Sequence, residues 1–191
     1  IQGHGREETV FSNTTAGGFL AINANVTLKN MTITGYESST ANNYAGGALR
    51  IGAAWGTGFT TSPRTVTLEN IKFWDNASTA SNGNGHGGAI FVVPNGATSN
   101  HVITINECLF YDNRAQGSNA MGGVIYAYDN YNITINNSVF VDNYAQHLGG
   151  VIYAGDGTYN SNTNPSLTIN NCTMYRNWAE TSWSTNAGAV R

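Results

Sequence analysis

Three aspartates fall at one position of a recurring pattern. Asp75, Asp112 and Asp142 sit in Trp74-Asp75-Asn76, Tyr111-Asp112-Asn113 and Val141-Asp142-Asn143, and Arg176 takes the same place in Tyr175-Arg176-Asn177. Stacked on one another, the carboxylates would form a row spaced by about one strand separation, roughly 4.8 Å. Such a row can hold Ca²⁺ through its oxygens, or raise the pKa of one member by like-charge repulsion until it serves as an acid. Glycosidases need two carboxylates converging on one bond, and polysaccharide lyases need acids around a cation beside a basic residue. No Arg or Lys cluster faces the row, so no catalytic residue is expected. Asp75, Asp112 and Asp142 remain a candidate cation row, against the simpler account of solvated corner residues capped by Arg114 or Arg176.

Aromatic side chains make two further rows. Trp74, Tyr111, Val141 and Tyr175 lie next to an inward apolar position, so strand alternation predicts that they point out. Phe91, Tyr126 and Tyr153 share a second phase with Arg50. An unpaired guanidinium inside a narrow apolar core would be prohibitive, so this row too is expected to face out. Flat exposed rings suit sugar faces, with Asn and Asp taking the hydroxyls, and equally suit protein partners, where Tyr and Trp are enriched. The plainer account is cross-strand stacking that stabilises the sheet. Trp74, Tyr111, Tyr175, Phe91, Tyr126 and Tyr153 are the candidate binding residues.

The remaining reactive groups are scattered. His4, His86, His101 and His147 fall at unrelated phases, so they are expected to share no face and to form neither a metal site nor a catalytic one. Cys108 and Cys172 share an inward phase with Ser138 between them; two steps of the stack put them roughly 9.6 Å apart, beyond the reach of a disulfide. Two buried free thiols are expected. N-x-[ST] sequons occur at Asn13, Asn25, Asn30, Asn76, Asn132, Asn136 and Asn171. Asn13, Asn25, Asn76 and Asn132 are the candidate N-glycosylation sites, although a repeat rich in Asn and Thr also generates the motif by accident.

These rows presuppose a repeat, and one runs through the chain. Val66 to Asn76 recurs as Ile103 to Asn113, Ile133 to Asn143 and Leu167 to Asn177, with a weaker copy from Val26 to Tyr36. The copies start 40, 37, 30 and 34 residues apart, so a fixed part alternates with a loop of varying length. Periods in this range signal stacked repeats. A second fixed element follows each copy, at Gly46-Gly47-Ala48-Leu49, Gly87-Gly88-Ala89-Ile90, Gly122-Gly123-Val124-Ile125 and Gly149-Gly150-Val151-Ile152, and the chain stops in a fifth, Ala187-Gly188-Ala189-Val190-Arg191. Apolar residues alternate within both elements, as strands require. Stacking equivalent strands gives each backbone group a partner and builds ladders of like residues. Asn76, Asn113, Asn143 and Asn177 are expected at one corner. Phe73, Phe110, Phe140 and Met174 are expected inside, with Leu68, Ile105, Ile135 and Ile169 and with Leu49, Ile90, Ile125 and Ile152. Gly- and Asn-rich loops are expected over 36–45, 52–64, 77–86, 94–101, 114–121, 155–165 and 180–186.

The alternation of Gly-Gly-Ala-[Ile/Leu/Val] with Phe-x-x-Asn resembles the repeat of the polymorphic outer-membrane proteins of chlamydiae and related adhesin-like surface proteins. Gly46 to Leu49 and Gly87 to Ile90 match the first motif, and Phe73 to Asn76, Phe110 to Asn113 and Phe140 to Asn143 match the second. Gly122 to Ile125, Gly149 to Ile152 and Met174 to Asn177 depart from them by one residue or so. The resemblance covers roughly residues 26 to 191 and implies a pectin-lyase-like parallel β-helix on a cell surface. The full architecture of that family ends in a membrane β-barrel, which these residues do not resemble, so the autotransporter role is not carried over as an expectation. The opening Ile1 to Phe11 also resembles an early coil of such a fold.

Composition agrees. Charged residues are 10% of the chain, against roughly 25% in an ordinary globular domain, while 23 glycines and 27 asparagines take their place. A 40% hydrophobic content is too high for a disordered chain. With net charge −3 and eight scattered Lys and Arg, neither nucleic acid nor an anionic membrane is an expected partner. No apolar run reaches the ~20 residues of a spanning helix. The first residues lack a signal-peptide layout, so the chain is expected to be mature or an excised piece. We therefore expect one all-β domain over 1–191, a right-handed single-stranded parallel β-helix of about five coils within a longer chain or assembly. The expected role is an extracellular or cell-surface adhesin-like or structural module that binds carbohydrate or a cell-surface protein, with no cofactor or metal. A carbohydrate-active enzyme, or an inactive relative, is the alternative. Neither end shows a polar cap, which predicts head-to-tail self-association into filaments.

Overall fold

The computed structural model describes residues 1–13, 15–39, 46–52, 62–80, 84–93, 100–155, 164–180 and 188–191. Among these there is no helix, and every strand-to-strand pairing is parallel. Sheet A has nine strands: β1 (Val10–Ser12), β3 (Val26–Thr34), β6 (Thr65–Trp74), β9 (His101–Asn106), β10 (Leu109–Tyr111), β13 (Tyr131–Asn136), β14 (Val139–Val141), β17 (Ser166–Asn170) and β18 (Thr173–Tyr175). Sheet B stacks β4 (Glu37–Ser38), β7 (Ala77–Ser78), β11 (Arg114–Ala115), β15 (Tyr144–Ala145) and β19 (Trp178–Ala179). Sheet C stacks β2 (Leu20–Ile22), β5 (Leu49–Ile51), β8 (Ile90–Val92), β12 (Ile125–Tyr128) and β16 (Ile152–Gly155).

Register follows the repeat. Val26, Val66, Ile103, Ile133 and Leu167 are partners in successive pairings, and so are Leu20, Leu49, Ile90, Ile125 and Ile152. Slipping any strand by one residue would turn its apolar set away from the core, so the alternation holds the alignment. One buried cluster joins the inner faces of sheets A and C, including Leu28, Leu68, Ile105, Ile135, Leu49, Ile90 and Ile125. Phe73 and Phe110 stack with centroids 4.9 Å apart and rings 2° from parallel, and Phe110 and Phe140 at 4.8 Å and 4°. The strand separation sets that spacing, so one residue type suits every layer.

Local structure departs from expectation in three places. The stretches read as loops at 36–45, 77–86 and 114–121 contain three of the five strands of sheet B, whose two-residue strands turn Ser38, Ser78, Ala115 and Ala145 inward. Small residues suffice there because the backbone itself comes close. Gly17-Gly18-Phe19-Leu20 is a further Gly-Gly copy, in register with Gly46 to Leu49. Finally, Asp129 and Asn130 alone join β12 to β13, both left-handed (φ 57° and 54°), which accounts for the shortest repeat spacing. Much of the loops expected over 52–64, 94–101, 155–165 and 180–186 lies outside the described residues.

The Gly-Gly pairs have two separate reasons. Gly87, Gly122 and Gly149 adopt φ of 64°, 70° and 64°, where a side chain is strained. Their neighbours Gly88 and Gly123 pass so close to the next layer that a Cβ would lie 2.1 Å from the carbonyl oxygen of Gly123 or Gly150.

Candidate functional site

Sheet A turns into sheet B at a corner where each layer places one residue in the left-handed region: Gly35 (φ 70°), Asp75 (53°), Asp112 (56°), Asp142 (56°) and Arg176 (51°). Asp and Asn tolerate that conformation better than most side chains, and glycine best of all. The acidic row is thus accounted for by backbone geometry. Two of its members are engaged: Asp112 Oδ1 accepts from Arg114 Nη2 at 2.8 Å and Nε at 3.2 Å, and Asp142 accepts from Arg176 Nε at 2.7 Å and Nη2 at 2.5 Å. The Asp142 hydrogen bond and charge hold the Arg176 pKa above its usual value. Asp75 is exposed. Among the described residues no three His, Cys, Asp or Glu side chains converge on a common metal position.

Beneath the corner runs the asparagine ladder. Asn76, Asn113 and Asn143 each donate an Nδ2–H to the Oδ1 of the next layer's asparagine, at 3.0, 3.0 and 2.9 Å. The same nitrogens donate to the carbonyls of Ile33, Phe73 and Phe110, and each Oδ1 of Asn113, Asn143 and Asn177 also accepts the backbone N–H of the previous ladder member. Asn76, Asn113 and Asn143 are fully buried with these bonds made, so the ladder pins the corner rigidly.

On this framework the outer row of sheet A stands open. Trp74, Tyr111 and Tyr175 are 41%, 37% and 58% exposed, with Val141 between the last two in register. Trp74 and Tyr111 lie inside the stack, so their exposure is not an effect of the last layer. Lys72 Nζ sits 5.1 Å from the Trp74 ring centre and the Arg176 guanidinium 4.9 Å from that of Tyr175. Around the corner, Tyr144 and Trp178 pack tilted at 5.5 Å, and Trp178 is 52% exposed. Burial, and then the hydrogen bond from Tyr144 to Glu180, push the tyrosine pKa up to about 12. Sequence reasoning missed this pair, although both follow a ladder asparagine directly.

The second aromatic row corrects the expectation. Phe91 is fully buried and Tyr126 nearly so. Phe91, Tyr126 and Tyr153 do leave the main core, but they stack on each other at 5.0 and 5.4 Å and form a separate apolar cluster with Val93, Met121 and Tyr128. His86 stacks on Tyr126 at 4.3 Å and covers it. These rings are therefore occupied by their own chain, and only Tyr153 is half-buried rather than covered.

Burial first, and then the charge of His147, lowers the His86 pKa to about 4, and His86 Nδ1 accepts the Met121 backbone N–H at 3.2 Å. Buried His101 is lowered to about 4 by burial and by Arg64, while its Nδ1 accepts the Arg64 backbone N–H at 3.0 Å. Cys108 and Cys172 are free thiols, and Cys172 is only partly buried; burial pushes the Cys108 thiol up to about 12. Ser138 separates the two, accepting the Cys108 N–H at Oγ and donating its own backbone N–H to Cys172 Sγ at 3.5 Å. Among the sequons, Asn76 is withdrawn from the glycosylation candidates, because its amide nitrogen is buried and doubly bonded in the ladder. Asn25 is exposed, with Oδ1 accepting from the Thr65 N–H. Asn13 and Asn132 are partly buried, Asn13 in a local turn with Thr15 and Asn132 accepting from Asn100 and Ser166. No protein-family model, curated protein or solved structure matches this chain.

Proposed function

We propose that the chain is a right-handed single-stranded parallel β-helix of about five coils, working as an extracellular, adhesin-like or structural surface module. Its binding surface is the corner strip of Trp74, Tyr111 and Tyr175, extended by Tyr144 and Trp178. One observation carries the reading: three rings at one register position of sheet A stay open to solvent while the aromatic row of sheet C is packed against its own chain. On a fixed parallel lattice Trp74 and Tyr111 stand one strand separation apart and Tyr175 two further along, past Val141, and a chain of sugar rings presents flat faces of its own. Asp112 and Asp142, held by Arg114 and Arg176, supply charged acceptors and donors at the edge of the strip for hydroxyl groups. The engaged carboxylates favour binding over hydrolysis, since neither is free to act as acid or nucleophile. Resemblance of the two repeat motifs to chlamydial surface proteins adds support for a cell-surface role. Binding of the native protein to a panel of neutral and acidic oligosaccharides tests the proposal, with Trp74→Ala and Tyr175→Ala as comparators. Retention of native affinity in both variants would exclude the strip as the binding surface.

A further inference from the structure

Away from the aromatic strip, the outer row of sheet C changes character partway along. Its partners in register are Ala21, Arg50, Phe91, Tyr126 and Tyr153. Where the rings give way to Ala21 and Arg50, the space beside the sheet is left open as a cavity of about 220 Å³, lined by Gly17, Gly18, Ala21, Ser38, Ala48 and Arg50 among others. That volume exceeds several waters, at roughly 30 Å³ each, and falls short of the usual drug-sized pocket.

Arg50 stands out among the cations by a buried guanidinium nitrogen. Arg6, Lys72, Arg114 and Arg176 each reach a carboxylate, and Arg64 donates from Nε and Nη2 to Asn23 Oδ1. The Arg50 side chain has no hydrogen bond or ion pair among the described residues, and its Nε is buried without an acceptor. A buried donor left unmade is costly, and for a charged group more so. The segments on either side, 40–45 and 53–61, contain no Asp or Glu, so neither can supply a counter-ion. Asp156, the one carboxylate outside the described residues, follows β16, which is three strands from β5 in the sheet.

We propose that this cavity binds the carboxylate group of a small organic anion, with the Arg50 guanidinium as its counter-ion. The planar fork of arginine matches a carboxylate in two parallel hydrogen bonds. One cation balances one negative charge; a doubly charged phosphate would lack a second, and Glu37 in neighbouring β4 adds a negative charge nearby, with its Oε1 accepting from Thr79. The site does not rest on the aromatic strip, which lies on a different sheet.

Titration of the native protein with glucuronate, N-acetylglutamate, glucose and inorganic phosphate, followed by calorimetry or amide chemical shifts, tests the proposal. At least one carboxylate should bind more tightly than glucose and phosphate, and the better of the two identifies an acidic sugar or an acidic peptide as the source. Arg50→Gln should weaken that binding by at least about tenfold, the scale of a charged hydrogen bond. Ala21→Phe places in the cavity a ring of the kind that Phe91 carries further along the row, leaves Arg50 in place and should weaken binding similarly. Absence of carboxylate binding in the native protein overturns the proposal. So does undiminished binding in Ala21→Phe, which decides the matter should Arg50→Gln fail to fold.

Discussion

The two aromatic rows start from the same rule and end differently. On sheet A the rings of Trp74, Tyr111 and Tyr175 leave the strand on the side away from the core and meet solvent; on sheet C, Phe91 and Tyr126 leave on the same side and meet their own chain. Alternation along a strand decides only which face a side chain takes. What lies over that face depends on segments between strands: His86 and Met121, each just before a Gly-Gly pair, lie against the sheet C row. Over Trp74 and Tyr175, among the described residues, lie Lys72 and Arg176, and long cationic side chains move aside at small cost. One row is therefore part of the packing, and the other remains available to a ligand.

The strongest test of that contrast is Tyr126→Ala. Tyr126 contacts rings on both sides and His86 above, so its loss opens a cavity that rigid neighbours cannot fill. A loss of about 3–5 kcal/mol in unfolding free energy is expected from large-to-small aromatic substitutions, read from chemical denaturation. A loss below about 1 kcal/mol would mean the row is not packed as described.

Acid should act on the covered row next. His86 and His101 both titrate near pH 4 in the folded protein, below their unfolded value of 6.5. Between those values the unfolded chain binds more protons, so stability rises with pH; it is complete above about pH 6.5 and is lost as pH falls toward 4. A shift of this size on fully buried His101 corresponds to roughly 3 kcal/mol, and less is expected from partly covered His86. His86→Phe keeps a ring over Tyr126 and removes the titration. Denaturation at pH 7.5, 5.5 and 4.5 should then show a shallower pH dependence than the native protein, and an unchanged one would count against His86 as the titrating cover.

The ladders were legible in the sequence because one residue type repeats at one phase: Phe73, Phe110 and Phe140 inside, and Asn76, Asn113 and Asn143 at the corner. Sheet B was not, because two-residue strands such as Ala77–Ser78 carry no alternation to detect. The cover over Tyr126 left no trace either, since His86, Met121 and Leu148 share a position but no chemistry. The acidic row did leave a clue. Its first member is Gly35, and a glycine where others have Asp signals a left-handed turn rather than a shared ligand. The open Arg50 cavity follows from a change of side-chain size along one row, which only the register reveals.

Between the two rows in expected effect stands the corner that carries the open one. Asn113→Ala leaves the Asn76 amide and the Phe73 carbonyl short of partners in a buried site. About 2–3 kcal/mol of destabilisation is expected, since buried polar groups lose their full compensation. Asn113→Asp should not rescue it, because a carboxylate cannot donate to Phe73 or Asn143. Rescue by aspartate would show that the ladder's donors are dispensable.

The smallest stability effect belongs to the open row and decides whether it is a binding surface at all. Tyr111 is over a third exposed, lies in register between Trp74 and Val141, and makes none of the close ring stacks that hold Tyr126. Tyr111→Ala should lower unfolding free energy by no more than about 1 kcal/mol, as for a surface substitution with modest cross-strand contact. Binding to any oligosaccharide recognised by the native protein should fall at least about tenfold, because stacking of a flat face needs the ring itself. Tyr111→Phe separates the ring from its hydroxyl: it should keep most of the affinity if the face does the binding, and lose it if the hydroxyl does. Should Tyr111→Ala instead unfold at nearly the same denaturant concentration as Tyr126→Ala, the open row would be a structural element like the covered one, and the contrast between them would disappear.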